Sequence, residues 1–234
     1  MISKKNIKIH MPHHKLSSKL WENEKLKKAV KQKLIDISDA FIEYIGIPVY
    51  VDDVVITGSY SNYNYTKFSD IDLHVMVDLD KYNADDDIIE EFFNAKKSFW
   101  NDKRNIKVNG IEVELYPQDI TEDHTSTGVY SIYKDKWIVT PKKFKNNIDI
   151  DSLYKKSKKI EKEILLTIKE SQEKESKVPI EKLLNKIKKM RKSGLEKAGE
   201  MADENIIYKI LRDRGYVQKL FDIKNLIIDK NLSL

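Results

Sequence analysis

The chain has 234 residues, of which 40% are hydrophobic and 35% are charged, and it contains no cysteine. This apolar content is typical of a folded protein with a core, and the lack of cysteine excludes disulfides, thiolate metal sites and cysteine nucleophiles. No apolar run reaches the roughly 20 residues of a membrane helix, and residues 1–15 lack the apolar segment of a secretory signal. The sequence therefore predicts a cytoplasmic protein without a membrane partner.

The net charge of +5 is unevenly distributed along the chain. Residues 151–234 carry 21 Lys and Arg against 14 Asp and Glu, whereas residues 1–150 carry 22 against 24. A basic half beside a slightly acidic half is typical of a protein with a polyanionic partner and metal-binding carboxylates. The frequent Lys, Asn, Ile and Tyr residues, as in proteins of AT-rich genomes, offer a second explanation, and charge alone does not separate the two.

The first half of the chain predicts a mixture of helices and strands, judged from the period of its apolar residues. A long helix is expected over residues 17–45, with Ser17 or Ser18 as its N-cap and Gly46 at its C-terminal end. The following predicted elements are strands over 54–57, 71–77 and 111–116, a helix over 85–100, a turn at Asn109–Gly110, and a hairpin over 129–139.

From about residue 150 the strand patterns give way to helical ones. Helices are expected over 153–170, 180–197, 205–212 and 217–229, and Pro179 suits the first turn of the second of these. This change predicts an α+β protein with two domains. The first domain is expected over residues 1–149, where strands alternate with helices that include an N-terminal one, and a basic helical domain is expected over residues 150–234.

Two aspartates and a glycine–serine pair form the most informative pattern in the sequence. Asp70 and Asp72 are two residues apart at a predicted strand, so their side chains project to the same side. Carboxylates this close repel each other unless a cation lies between them, and their hard oxygen atoms suit Mg²⁺. Gly58 and Ser59 follow the strand over 54–57, where glycine permits close approach to phosphate and serine donates hydrogen bonds to it.

A third carboxylate is expected on a neighbouring strand. Glu112 and Glu114 lie on the same face of the strand over 111–116, so their spacing does not separate them. Glu114 is preferred because its neighbours give the better strand context. Its expected roles are to bind metal and to accept the proton of an attacking hydroxyl.

This pattern resembles the signature of the DNA polymerase β-like nucleotidyltransferase superfamily: a hydrophobic strand, Gly-Ser, a spacer, Asp-h-Asp-h and a later strand carboxylate. The matching positions are Gly58, Ser59, Asp70, Asp72 and Glu114, with a spacer of ten residues, and the resemblance covers roughly residues 30–120. It implies that residues 1–149 are the catalytic domain, with a nucleotidyltransferase-type mixed sheet flanked by helices. It also implies two Mg²⁺ ions, or Mn²⁺ in their place, held by the three carboxylates. The implied enzyme transfers a nucleoside monophosphate from an NTP, such as ATP, to a hydroxyl acceptor and releases pyrophosphate.

The same resemblance implies that a basic residue of the helical domain holds the triphosphate. Lys189 and Lys192, in the dense basic segment 186–192, are the candidates, and the alternative is a solvated helix face. The acceptor stays open among an RNA end, a nucleotide, a small molecule and a protein side chain, with the basic half of the chain favouring RNA or a nucleotide. A second hypothesis is a non-catalytic nucleotide- or RNA-binding, antitoxin-like module on the same fold.

Two further groups allow two interpretations each. His74 shares the strand face of Asp70 and Asp72, and it is either a relay beside the metal site or a hydrogen-bonded core residue. Tyr60, Tyr63 and Tyr65 lie in a loop that departs from the usual pattern of the superfamily. They either stack on a base or pack this loop against the first helix.

Overall fold

A computed structural model of the chain describes residues 1–82, 85–124, 126–144 and 148–233. The chain folds into two compact units, which we call the sheet unit, Pro12–Phe144, and the helical unit, Met1–Met11 together with Lys145–Leu234. The helical unit therefore includes the first residues of the chain, which the sequence pattern assigns to the domain of residues 1–149.

The elements follow one another along the chain as α1 (Lys4–Lys8), β1 (Trp21–Glu22), β2 (Lys25–Leu26), α2 (Lys28–Ile45), β3 (Val51–Thr57), β4 (Ile71–Val77), α3 (Asp86–Lys103), β5 (Lys107–Val108), β6 (Ile111–Asp119), β7 (Val129–Ser131), β8 (Lys136–Val139), α4 (Ile150–Glu173), α5 (Val178–Ala198), α6 (Asp203–Asp213) and α7 (Tyr216–Leu232). Six strands form one sheet in the order β5-β6-β4-β3-β7-β8, and β1 pairs with β2 separately. The sheet is mixed because β4 pairs with β6 in parallel, whereas the other pairs are antiparallel.

β4 shows why the two faces of this sheet differ. Ile71, Leu73 and Val75 are fully buried in the core that the sheet forms with α2 and α3. Asp72 and His74 alternate with them and therefore point to the opposite face. The candidate site residues of β4 thus lie on the face away from the main core.

One edge of β6 is covered by helix α3. Asn101 on α3 donates from Nδ2 to the carbonyl of Leu115 at 3.0 Å and accepts from the N–H of Leu115 at 3.2 Å. β5 pairs only with Ile111 and Glu112, so the amide of Asn101 replaces a strand further along β6 and satisfies both backbone groups of Leu115.

The first long helix begins later than predicted, and this part of the prediction is wrong. α2 starts at Lys28 with Lys27 as its N-cap, although it ends as predicted at Gly46, whose φ is 81°. Residues 21–26 form the β1–β2 hairpin instead of a helix. Its turn residues Asn23 and Glu24 have positive φ angles of 48° and 61°, which a helix does not allow.

The other predicted elements are present, most of them with shifted ends. The strand over 71–77 coincides with β4, and Asn109 and Gly110 form the turn into β6 with φ angles of 51° and 77°. Pro179 lies in the first turn of α5. The described residues therefore show the predicted α+β class, with a mixed sheet flanked by helices and a C-terminal helical region.

The N-terminal segment is built into the core of the helical unit. Ile2 and Ile7 are 3% and 0% exposed and pack with apolar residues of α4 to α7. The N–H of Ile2 donates to Oε1 of Glu161 at 2.9 Å, and the buried Glu161 also accepts from Tyr216 and Lys158. Across the described ranges, no helix is both long enough and apolar enough to cross a membrane.

Candidate functional site

Gly58 lies at the end of β3, where the chain leaves the sheet. Its φ of 69° and ψ of −157° belong to a backbone region that essentially only glycine adopts. A Cβ atom at this position would lie 1.7 Å from Oδ2 of Asp72. Both the backbone conformation and the contact with Asp72 therefore require glycine.

The strand register sets three side chains level with one another on the candidate face. Thr57 on β3 pairs with Asp72 on β4, and Asp72 pairs with Glu114 on β6. Neighbouring strands are about 5 Å apart, so Asp72 and Glu114 are adjacent. Asp70 comes directly before β4, and it lies near the same groups, because its charge contributes to the raised pKa of Tyr116. We call Asp70, Asp72 and Glu114 the carboxylate triad.

The register also distinguishes the two glutamates that spacing leaves equivalent. Glu112 pairs with Lys107 on β5 and is exposed to solvent. Glu114 is half-buried beside Asp72, and its Oε2 accepts a hydrogen bond from the hydroxyl of Tyr116. The geometry therefore favours Glu114 as the partner of Asp72.

Tyr116 responds to the negative charge of the whole triad. Burial raises the pKa of Tyr116, and the hydrogen bond and charge of Glu114 and the charges of Asp72 and Asp70 raise it further. The phenol therefore stays protonated at neutral pH and continues to donate to Glu114. Tyr116 was not among the predicted site residues, although it follows Glu114 by two and thus shares its strand face.

His74 is hydrogen-bonded on the same face, next to Asp72 along β4. Its Nδ1 lies 2.7 Å from Oε1 of Gln118, and its ring stacks on Tyr116 with centroids 5.0 Å apart. Burial lowers the pKa of His74 to about 4, although the bond with Gln118 acts in the opposite direction. The neutral ring donates from Nδ1 to the amide oxygen of Gln118, which leaves Nε2 as an acceptor.

The loop over residues 126–128 lies against the loop that follows Gly58. The N–H of Gly58 donates to Oγ of Ser126 at 3.3 Å, and Asn62 donates to Oγ1 of Thr127. A Cβ atom at Gly128 would lie 2.1 Å from the carbonyl oxygen of Ser61. The sequence does not predict the hydrogen bond between Gly58 and Ser126, because the two residues are 68 positions apart and share no motif.

The tyrosines of the loop after Ser59 pack inside the sheet unit. Tyr60 and Tyr63 are 4% and 5% exposed. Tyr60 stacks on Tyr65 with ring centroids 5.4 Å apart, and its carbonyl accepts from Nε1 of Trp21 at 2.7 Å. Tyr60 also belongs to the core that contains α2. The packing interpretation is therefore the one that agrees with the structure.

A cavity of about 300 Å³ opens beside the carboxylate triad. Its walls include Thr57, which is level with Asp72, and Tyr116, which donates to Glu114. His74, Gln118 and His124 add further polar groups. The volume and the convergent hydrogen-bonding groups are those of a site for part of a small ligand.

The donor chemistry of the carboxylate triad fits a hard divalent cation, because all three side chains offer only carboxylate oxygens. In the part of the chain that the structure describes, no group of three or more His, Asp or Glu side chains is arranged so that it could hold a metal ion by itself. Mg²⁺ commonly takes one or two carboxylates and completes its shell with water and substrate phosphates. An ion held by one or two of these carboxylates would therefore take its remaining ligands from other oxygen atoms.

The residues predicted to bind the nucleotide fall in both units. Gly58 and Ser59 stand together at the end of β3 in the sheet unit, and both are half-buried. Lys189 and Lys192 lie on α5 in the helical unit, and both are exposed. Lys192 pairs with Glu196 at 3.9 Å, as expected for a solvated helix face.

Comparison with protein-family models, with curated proteins and with solved structures gives no match to this chain. The geometry and chemistry of the site itself are therefore the grounds for assigning a function.

Proposed function

We propose that the chain is a metal-dependent nucleotidyltransferase whose catalytic domain has the mixed sheet typical of that class. One observation carries this proposal: Glu114 is level with Asp72 on the neighbouring strand, and the Asp72 carboxylate occupies the space that a side chain at residue 58 would fill. Carboxylates clustered beside a glycine loop offer a place for a triphosphate and its cations.

In the proposed reaction, a hydroxyl oxygen of the acceptor forms a bond to the α-phosphorus of the NTP. The bond from this phosphorus to the oxygen bridging the α- and β-phosphates breaks, and pyrophosphate leaves. Glu114 accepts the hydroxyl proton, while Ser59 and the backbone of its loop donate to the phosphates. Asp70 and Asp72 would hold Mg²⁺, which supplies charge neutralisation for the phosphates when bound.

The groups around the triad have supporting roles in this proposal. Tyr116 positions Glu114 through its donated hydrogen bond. Gln118 fixes the ring of His74, which forms part of the cavity wall. This cavity gives room beside Glu114 for the acceptor group, whether it belongs to an RNA end, a nucleotide or a small molecule.

Metal-dependent nucleotide binding tests the proposal. We expect the thermal stability of the wild type to rise with Mg²⁺ plus an NTP above its value with Mg²⁺ alone, since a ligand at 100 times its Kd stabilises by about 2.7 kcal/mol. Asp72→Asn should lose this Mg²⁺-dependent increment. Asp52→Asn, a change to an exposed aspartate on β3, should keep it. No increment in the wild type, or an undiminished one in Asp72→Asn, would contradict the proposal.

A further inference from the structure

The basic segment 186–192 contains one residue whose surroundings differ from those of its neighbours. Lys186 pairs with Glu163 at 2.6 Å and Lys192 with Glu196 at 3.9 Å, while Lys189 is exposed to water. Arg191 is half-buried, and among the described residues it forms no ion pair with a carboxylate. A partly buried cation without an anionic partner is costly unless other groups or a ligand compensate for it.

Two neutral groups of α6 hold Arg191 in place. Its Nε donates to Oδ1 of Asn205 at 3.2 Å, and its guanidinium carbon lies 4.3 Å from the ring centroid of Tyr208. Asn205 is itself fixed, because its Nδ2 donates to the carbonyl of Glu200 at 2.6 Å. These contacts use one of the five N–H donors of a guanidinium and leave its terminal nitrogens outside them.

Close packing of α5 on α6 produces this arrangement. A Cβ atom at Gly194 would lie 2.7 Å from Cβ of Glu204, so the two helices approach closely at this glycine. Arg191 precedes Gly194 by about one helical turn. Its guanidinium is therefore brought against the first turns of α6.

Two more cations share the face of α6 that carries Asn205. Lys209 and Arg212 follow Asn205 at helical spacing and therefore lie on the same side. Arg212 pairs at 3.1 Å with Asp213, whose side chain is 4% exposed. Lys209 is half-buried, and in the described ranges it forms no ion pair with a carboxylate.

The pKa of Lys209 agrees with this clustering of positive charge. Burial lowers the pKa of Lys209, and the charges of Arg212 and Arg191 lower it further, although the carboxylates of Glu200 and Asp213 act in the opposite direction. Lys209 is therefore close enough to Arg191 and to Arg212 for its charge to be repelled by theirs. An anion bound between Arg191 and Lys209 would relieve this repulsion.

We propose that Arg191 and Lys209, with Arg212 at the margin, form a binding site for a phosphate-type oxyanion. The ligand is either a free phosphate, such as pyrophosphate, or a backbone phosphate of a nucleic acid. A guanidinium fixed by stacking and one hydrogen bond presents the planar fork that binds phosphate oxygens in pairs. Lysine adds a compact charge beside it. The site lies within the helical unit and requires neither a metal ion nor the carboxylate triad.

Calorimetric titration of the full chain with sodium pyrophosphate, in metal-free buffer at low ionic strength, tests this site. We expect saturable binding by the wild type. Arg191→Gln and Lys209→Gln should each weaken it by at least about ten-fold, the loss expected for one hydrogen bond to a charged group. Lys188→Gln removes the same charge from the exposed side of α5 and should change the affinity by less than about two-fold, since surface charges contribute little.

A charge-preserving variant and the metal-free buffer keep the result interpretable. Arg191→Lys retains the charge without the fork, so it should fold as the wild type does and still bind more weakly. Because the buffer is metal-free, binding does not rely on an ion held by the carboxylate triad, which separates failure of this site from failure of the proposed nucleotidyltransferase site. Thermal unfolding of each variant confirms that it is folded before it is titrated.

A short single-stranded RNA, titrated in the same way, distinguishes the two sources of phosphate. Loss of RNA affinity in Arg191→Gln beyond that in Lys188→Gln indicates a backbone phosphate, whereas a loss confined to pyrophosphate indicates a free one. The proposal is overturned if the wild type binds neither ligand. It is equally overturned if Lys188→Gln and Arg191→Gln lose affinity to the same extent.

Discussion

Gly58 is the residue on which the carboxylate triad depends most directly. In Gly58→Ala, the new methyl group would displace the carboxylate of Asp72, and the backbone conformation would add about 1–3 kcal/mol of strain. We therefore expect this variant to lose Mg²⁺-dependent nucleotide binding as well as stability. Urea denaturation and the thermal shift with Mg²⁺ plus NTP measure the two effects.

Gly199 provides a matched control for this substitution. Its φ of 69° and ψ of −158° nearly equal those of Gly58, but among the described residues a Cβ atom at this position would meet nothing within 4 Å. Gly199→Ala should therefore show a similar backbone cost and normal nucleotide binding. If both variants bind the nucleotide normally, the contact between Gly58 and Asp72 has no functional importance.

The lowered pKa of His74 predicts that the sheet unit is less stable in acid. Its pKa of about 4 in the fold is below the ordinary value of 6.5, so between these values the unfolded chain binds the proton more tightly. The neutral ring of His74 therefore gives its full contribution to the free energy of unfolding above pH 6.5. As the pH falls towards 4, this free energy decreases by on the order of 2 kcal/mol. In urea denaturation at both ends of this range, His74→Gln should show a smaller loss than the wild type. An equal loss would contradict the prediction.

At the residue scale, the sequence predicts the acidic groups of the site better than their supports. Asp70 and Asp72 are recognisable because their spacing on a strand fixes their side. Choosing Glu114 over Glu112 requires the register of β4 with β6, which no local pattern contains. Ser126 belongs to a distant loop, so its bond to the N–H of Gly58 follows only from the tertiary fold.

At the scale of elements, periodicity predicts the long amphipathic helices well and the short hairpin β1–β2 poorly. Each of α4 to α7 buries a stripe that the spacing of its own apolar residues defines. Trp21 instead packs on Trp137, with ring centroids 4.8 Å apart, and donates to the carbonyl of Tyr60. These partners are distant in sequence, and they stabilise a hairpin where a helical period is also present.

Helix α1 illustrates a short element that exists only through tertiary packing. With five residues, it is too short to be stable alone. Ile7, which is fully buried, packs it into the apolar core of the helical unit. Ile7→Ala should lower the free energy of unfolding of that unit by about 2–5 kcal/mol, measured by hydrogen exchange of amides in α4. Ile88→Ala, at a position on α3 that is 65% exposed, should cost less than about 0.5 kcal/mol. Unchanged exchange in Ile7→Ala would contradict the placement of this segment.

At the scale of the whole molecule, the acidic and the basic side chains of the two proposed sites lie in different units. The sheet unit contains the carboxylate triad, and the helical unit contains Arg191 and Lys209. The charge asymmetry of the sequence predicts this division in outline, but it does not identify the basic residues. Lys189 and Lys192 follow from the local density of positive charge and are exposed, whereas Arg191 between them is half-buried, which only the packing of α5 on α6 reveals.

Release of pyrophosphate tests the central claim most directly. The protein is incubated with Mg²⁺ or Mn²⁺ and each labelled NTP, with total RNA or a small-metabolite extract as the source of acceptors. We predict release by the wild type and by Glu112→Gln, and a loss of at least about 100-fold in Glu114→Gln and in the double variant Asp70→Ala/Asp72→Ala, because the charge that stabilises the transition state is removed. Release by the double variant at the rate of the wild type would contradict the account.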